Sequence, residues 1–160
     1  MKEISKLKIR MAVPNDNKPI KSMIFKILEE YNVKVEPKGD DLDATEFGIN
    51  DSRIYIVAEL YGNPIGSAIL TETSNEVYKL SKLFLAKEYR RKGIGRLLLK
   101  EVVEQVRKRK GREIYLRTRD SYAEAIKLYE KSGWTRSAEL LNPPGPPVKY
   151  SYSLDSYKEY

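Results

Sequence analysis

The 160-residue chain contains no cysteine and no histidine. That absence excludes disulfides, zinc sites built from Cys or His, and Ser-His or Cys-His nucleophilic catalysis. No apolar run approaches the ~20 residues of a membrane-spanning helix. The opening residues Met1, Lys2, Glu3, Ile4, Ser5 and Lys6 lack a signal peptide's apolar core. A soluble cytoplasmic protein with no membrane partner is therefore expected. The length suits one domain, 1–160, with a sizeable core and is short for two. No repeat or low-complexity linker divides it.

What the chain does have is positive charge in one place. The net charge is +7, from 30 Lys/Arg against 23 Asp/Glu. Residues 87–112 alone hold 11 Lys/Arg against 3 Asp/Glu, so the remainder is close to balanced. Charge this local favours a polyanionic small ligand over a nucleic acid, which would want a broad basic face. The tetrad Arg107, Lys108, Arg109 and Lys110 also fits a solvated helix C-terminus, where cations suit the dipole.

The basic stretch follows the strand-like run 77–85 and precedes an amphipathic helix reaching residue 110. Between them, Gly93 and Gly95 flank Ile94, with Arg90, Arg91, Lys92 and Arg96 around them. Glycines free the backbone to take conformations closed to other residues and to approach a ligand. The first helical turn leaves N–H groups unpaired at the positive end of the dipole. A strand, a glycine turn and a helix start thus form an anion site, and a pyrophosphate is its natural occupant. A Rossmann site fails, since position 98 is Leu rather than a third glycine; a Walker loop fails, since Arg96 and Leu97 follow Gly95.

The run Glu88-Tyr89-Arg90-Arg91-Lys92-Gly93-Ile94-Gly95-Arg96-Leu97-Leu98-Leu99 resembles the acetyl-CoA-binding motif of the GNAT N-acetyltransferase family. A second run, Ala125-Ile126-Lys127-Leu128-Tyr129-Glu130-Lys131-Ser132-Gly133-Trp134, resembles the family's later motif, in the right order and separation. The resemblance implies a mixed α/β GNAT fold. Its central twisted, mostly antiparallel sheet of about six or seven strands, flanked by about four helices, splays apart where the strand before the turn meets the strand after the helix. It also implies acetyl-CoA as cosubstrate, an amine-bearing acceptor (small molecule, peptide or protein), and no metal. Without cysteine, transfer must go directly from donor to acceptor. A catalytically silent acyl-CoA-binding module of the same fold is the alternative, and a basic nucleic-acid-binding domain is a third.

The rest of the chain reads in order. Alternation over 7–13 predicts a strand, Pro14 to Asn17 a turn, and 18–31 an amphipathic helix with Ile20, Met23, Ile24, Ile27 and Leu28 on one face. Residues 32–50 are polar, with one possible short helix over 41–47. Residues 54–60 and 65–73 form a hairpin about Gly62, Asn63 and Pro64. Gly111 is expected as a C-cap, 113–118 as a strand, Ser121 as the cap of helix 122–132, and Gly133 as its stop. Residues 134–141 and 148–154 are expected to pair around a rigid proline-rich link. The strand bearing Tyr150, Tyr152 and Leu154, or an edge strand, is open to homodimer formation.

Site roles follow from the resemblance. The amides of Arg91 to Arg96 would hold the pyrophosphate, with Arg90 and Lys92 helping to neutralise it. Leu83, Phe84 and Leu85 would pair with the pantetheine arm and offer an N–H to the thioester oxygen. Tyr129 matches the family's general acid; a phenol is protonated at neutral pH and can donate to a thiolate. Tyr122, Ala125, Ile126 and Tyr129 also share a helix face, so Tyr129 equally fits the core. Two positions depart from the family. Tyr122 stands where many relatives have Asn, and Lys79 where many have Glu. The general base is therefore unassigned, with Glu72 one candidate. Arg117 and Arg119 are placed to receive an acceptor carboxylate, or to pair with Asp120 or Glu124.

Overall fold

Residues 6–137 and 148–154 are described by the structure, a computed structural model. Among the described residues, seven strands, β1 (Leu7–Met11), β2 (Ile54–Leu60), β3 (Asn63–Ser74), β4 (Val77–Leu85), β5 (Glu113–Thr118), β6 (Thr135–Arg136) and β7 (Val148–Ser153), form one sheet in the order β1-β2-β3-β4-β5-β7-β6. Within the described residues four α-helices accompany it: α1 (Asn17–Glu30), α2 (Leu42–Thr45), α3 (Ile94–Lys108) and α4 (Ala123–Lys131). Every pairing is antiparallel except β4 with β5. The expected mixed, splayed architecture is present. Among the described residues no helix is long and apolar enough to cross a membrane.

The two sheet faces bury different partners, as period-two alternation requires. On one face Ile56, Ala58, Leu70, Tyr78 and Leu80 pack with Leu98, Leu99, Val102 and Val106 of α3, and with Tyr129 and Trp134. On the other, Tyr55, Val57 and Ile69 pack with Ile20, Ile24 and Leu28 of α1, and with Ala44 and Phe47. The sheet is thereby sandwiched, with α1 and α2 on one side and α3 and α4 on the other.

Local differences from the sequence reading have specific causes. The β2–β3 turn is Tyr61 and Gly62, not Gly62 to Pro64, because Leu60 pairs with Asn63. Both turn residues have positive φ (51° and 81°), the type I′ geometry that matches strand twist. β1 stops at Met11 because the Val13 N–H is taken by Asp16 Oδ2 at 2.8 Å, folding the chain into a 3-10 turn over Pro14–Asp16. After α3 the left-handed residue is Lys110 (φ 61°); Gly111 serves a different need, since a Cβ there would overlap Val106 and crowd the Tyr78 ring. The N-cap of α4 is Tyr122 rather than Ser121. Of the strand expected over 134–141, residues 135 and 136 pair with β7, and positions beyond 137 lie outside the described residues.

Candidate active site

The parallel ladder between β4 and β5 is three rungs long: Val77 with Glu113, Tyr78 with Ile114, Lys79 with Tyr115. Past Lys79 the two strands part. β5 continues against β7 as far as Thr118, and β4 continues against β3 as far as Leu85. The gap is a cavity of about 310 Å³ walled by residues 80–85 of β4, by Leu116, Arg117 and Thr118 of β5, by Ile27 of α1 and Tyr31 just after it, and by Tyr122, Ala125, Leu128 and Tyr129 from the α4 region. Leu83, Phe84 and Leu85 lie along this wall, on an edge that β5 leaves unpaired.

The glycine turn closes one end of the cavity through Arg90, Arg91, Gly93, Gly95 and Arg96. Arg91 (φ 65°) and Gly93 (φ 84°) are left-handed, and α3 begins at Ile94. Left-handed residues interleaved with ordinary ones curl successive N–H groups into an anion-binding concavity. A Cβ on Gly93 would meet nothing within 4 Å, so its glycine is required by φ, and the space beside it is open to a ligand. Gly95 is a glycine for closeness: a Cβ there would sit 3.3 Å from Leu128 Cδ2 and 3.7 Å from Leu85 Cδ1. Ile94 turns its side chain into the core, at 2% exposure, and can offer a ligand only its backbone.

The basic residues of the turn divide. Arg90 is a staple: its Nε donates to the Leu85 carbonyl at 3.0 Å and its Nη1 to Glu30 Oε2 at 2.9 Å. That bond holds the Glu30 carboxyl below the usual carboxylate range. The side chain expected to neutralise phosphate thus ties the end of β4 to the end of α1. Arg91 reaches across to Glu124 of α4 at 2.7 Å in an exposed pair that likewise lowers the Glu124 carboxyl. Arg96 faces the cavity, and Lys92 is exposed beside it.

Tyr129 is both a core residue and a lining residue of the cavity. It is buried between Trp134 (ring centroids 5.8 Å apart) and Tyr150 (6.0 Å), and it lines the cavity. Burial pushes its phenol well above the ordinary value, so the hydroxyl keeps its proton. Tyr122 sets its ring edge-on to Tyr31 at 4.7 Å and to Phe84 at 6.5 Å, forming an aromatic wall whose burial raises the Tyr122 phenol too. Arg117 is exposed at the rim, its guanidinium 5.5 Å from the Tyr115 ring centroid. Arg119 lies beyond the end of β5, outside the cavity lining, with its carbonyl accepting the Tyr122 N–H. Asp120 pairs with Arg136 at 3.7 Å and Glu124 with Arg91, so neither acid neutralises Arg117 or Arg119 in the ion pairs of the described residues. Lys79 occupies the last ladder rung, and Glu72 caps the β3–β4 turn by accepting the Glu76 N–H at 3.1 Å; neither lines the cavity.

Periodicity did not point to Ser81, Lys82, Asp41 or Asp43. A bulge in β4 leaves Lys82 and Leu83 opposite one residue of β3 and puts Lys82 at φ 53°. Lys82 Nζ sits 3.2 Å from Asp41 Oδ1 and 3.0 Å from Asp43 Oδ1, and Ser81 Oγ donates to Asp43 Oδ2 at 2.6 Å. The acidic run 40–43 was the one visible signal, without its partner.

Comparison with known proteins agrees with this geometry. The family model for the Acetyltransferase (GNAT) family matches residues 21–134. The [ribosomal protein bS18]-alanine N-acetyltransferase of Escherichia coli K12 is 28% identical over 97 residues; the match covers 60% of this chain and 66% of that protein, just under two thirds of its length. An acetyltransferase of the GNAT family from Staphylococcus aureus Mu50 superposes with a TM-score of 0.78 at 23% identity, over 93% of this chain and 99% of that one. PaiA N-acetyltransferase from Thermoplasma acidophilum, solved in complex with coenzyme A, gives 0.71 at 17% identity, over 92% and 98%.

Proposed function

Because the chain belongs to the GNAT acetyltransferase family, we propose that it transfers an acetyl group directly from acetyl-CoA to a primary amine. The observation that carries this reading is the β4–β5 ladder that stops after three rungs and opens onto a left-handed glycine turn at a helix start. An elongated thiol ester with a pyrophosphate at one end has the shape and charge that this gap and turn accommodate. The N–H groups of residues 91–96 hold the pyrophosphate, aided by the field of Arg96 and Lys92. The unpaired edge of β4 at Leu83 to Leu85 hydrogen-bonds the amide arm and offers an N–H to the thioester oxygen, where preorganised donors count most. Tyr129, kept protonated by burial, supplies the proton that the departing sulfur needs. Tyr122 and Ala125 pack against the donor's arm, with Tyr122 filling as an aromatic wall the place of the family's amide side chain. Arg117, at the rim, receives a carboxylate of the acceptor, which favours amino-acid or peptide amines over polyamines.

Calorimetric titration of acetyl-CoA into wild type and Gly93→Glu tests the donor site. Wild type should bind, and the variant, which puts a side chain at a left-handed position and a negative charge in the cradle, should lose at least 100-fold. Turnover on a panel of amines then separates an enzyme from a silent binding module. Absence of acetyl-CoA binding by folded wild type would overturn the proposal.

A further inference from the structure

Acetyl transfer also needs a group to take a proton from the attacking amine, and the carboxylate candidate Glu72 is occupied at the far turn of β3. Ser81 is the second residue of β4 past the last rung with β5, and it lines the cavity. Its hydroxyl donates to Asp43 Oδ2 at 2.6 Å. The other oxygen of that carboxylate accepts Lys82 Nζ at 3.0 Å and the Ala44 N–H at 2.8 Å. A hydroxyl has one hydrogen and two lone pairs. With the hydrogen committed to Asp43, the Ser81 oxygen has only lone pairs left to offer a partner, and Ser81 is among the residues lining the cavity.

This arrangement is built at a cost. Consecutive strand residues normally point to opposite faces, yet Ser81 and Lys82 grip the same carboxylate. The bulge makes that possible by driving Lys82 to φ 53°, a conformation rare for a residue with a side chain. Two bolts hold it: Ser67 Oγ donates to the Lys82 carbonyl at 2.8 Å, and the Lys82 ammonium is clamped by Asp41 and Asp43. Backbone strain held this firmly collects at functional positions.

We propose that Ser81 Oγ, oriented by Asp43, is the proton acceptor for the attacking amine; this rests on the acetyltransfer reading above. The neutral amine nitrogen bonds to the thioester carbonyl carbon. One N–H proton passes to Ser81 Oγ as the Ser81 proton passes to Asp43 Oδ2. The C–S bond breaks and the sulfur takes the Tyr129 proton. Asp43 then returns its proton to solvent and Tyr129 recovers one, so the net products are the amide and the free thiol. Ser81 touches the reacting nitrogen; Asp43 and Lys82 are positioning residues. The charged groups next to Ser81 are Asp41, Asp43 and Lys82; Tyr31, Tyr122 and Tyr129 are the titratable rings lining the same cavity, and Arg90, Arg91, Arg96, Arg117 and Glu124 are its charged lining residues.

The test compares full-length wild type with Ser81→Ala, Ser81→Thr and Asp43→Asn, on the best amine from the panel. It measures kcat and KM from pH 6 to 9.5 and acetyl-CoA affinity by calorimetry. Ser81→Ala keeps the Asp43–Lys82 pair and should fold; it is expected to lower kcat about 100-fold, leave acetyl-CoA affinity within twofold, and make the rate follow the free amine's own ionisation. Ser81→Thr, which keeps the hydroxyl, should recover most of the rate, and Asp43→Asn, whose amide cannot take the Ser81 proton, should be as slow as Ser81→Ala. The assignment is overturned by a Ser81→Ala enzyme with wild-type kcat and pH profile, by a threonine variant as slow as the alanine one, or by acetyl-CoA affinity falling in step with rate. If wild type binds acetyl-CoA but acetylates no amine, the acetyltransfer reading falls and this one with it. An active wild type matched by Ser81→Ala removes the Ser81 role alone.

Discussion

A phenol buried beside a cleft is poised differently from one in water. Tyr129 has its folded-state pKa raised by desolvation, so its proton is retained at any pH below the ordinary phenol value of ~10 and is released only above it. No alkaline fall in kcat between pH 7 and 9.5 should therefore belong to Tyr129. Tyr129→Phe keeps the ring contacts with Trp134 and Tyr150 and removes only the donor. It should cut kcat by about 10²-fold or more with acetyl-CoA affinity within twofold, and an unchanged kcat would assign Tyr129 to the core alone. Glu124 offers a prediction of opposite sign. Its carboxyl is held low by Arg91, so it is charged at neutral pH and competes with any phosphate for that guanidinium. Glu124→Gln should tighten acetyl-CoA binding several-fold in 20 mM salt, and the gain should fade by 0.5 M, where exposed charges are screened.

Elements whose residues carry their own instructions were legible in the chain: the faces of α1, α3 and α4, the strands β2 and β5, and the glycine turn. What was not legible depends on partners far away in sequence. Tyr61 accepts a left-handed turn because the twist of β2 and β3 demands it, and nothing in tyrosine announces that. The bulge in β4 needs Ser67 from β3 and Asp43 from α2, so no window of alternation contains it. The N-terminal corner is of the same kind. Arg10 on β1 donates to both Asp16 oxygens (2.8 and 3.0 Å) and to Glu59 on β2 (2.8 Å), and Asp16 is 4% exposed. The Arg10 bond first, then the Val13 N–H, hold the Asp16 carboxyl below its usual range. A depressed carboxyl contributes stability above its unfolded pKa of ~3.9, and that contribution is lost as pH falls through and below it. Asp16→Asn should thus cost about 3 kcal/mol at pH 7 and less near pH 3. Urea unfolding of both proteins at the two pH values checks the sign, and an equal cost at both would refute the ionic account.

Across the whole molecule, the positive charge concentrated in residues 87–112 is split between the two ends of α3. One end is the glycine turn; the other is the tetrad from Arg107 to Lys110, a 15-residue helix away, or roughly 22 Å at 1.5 Å per residue. The far end is partly occupied with its own helix: Arg107 pairs with Glu104 at 3.0 Å, and Arg109 donates to the Gln105 carbonyl and side chain at 3.0 and 2.6 Å. Those bonds favour the solvated-C-terminus reading over a ligand-binding one. At physiological ionic strength the screening length is about 8 Å, so charge at the tetrad is largely hidden from a phosphate at the turn. Lys108→Glu combined with Lys110→Glu should change acetyl-CoA affinity less than twofold at 0.15 M salt. Arg96→Glu, in the first turn of the helix and lining the cavity, reverses a similar charge at close range and should weaken it more than tenfold. Titrating the three proteins at 0.05 and 0.3 M salt separates the cases. A double variant as impaired as Arg96→Glu would mean that the basic helix acts as one extended anion surface, and would return the nucleic-acid reading to contention.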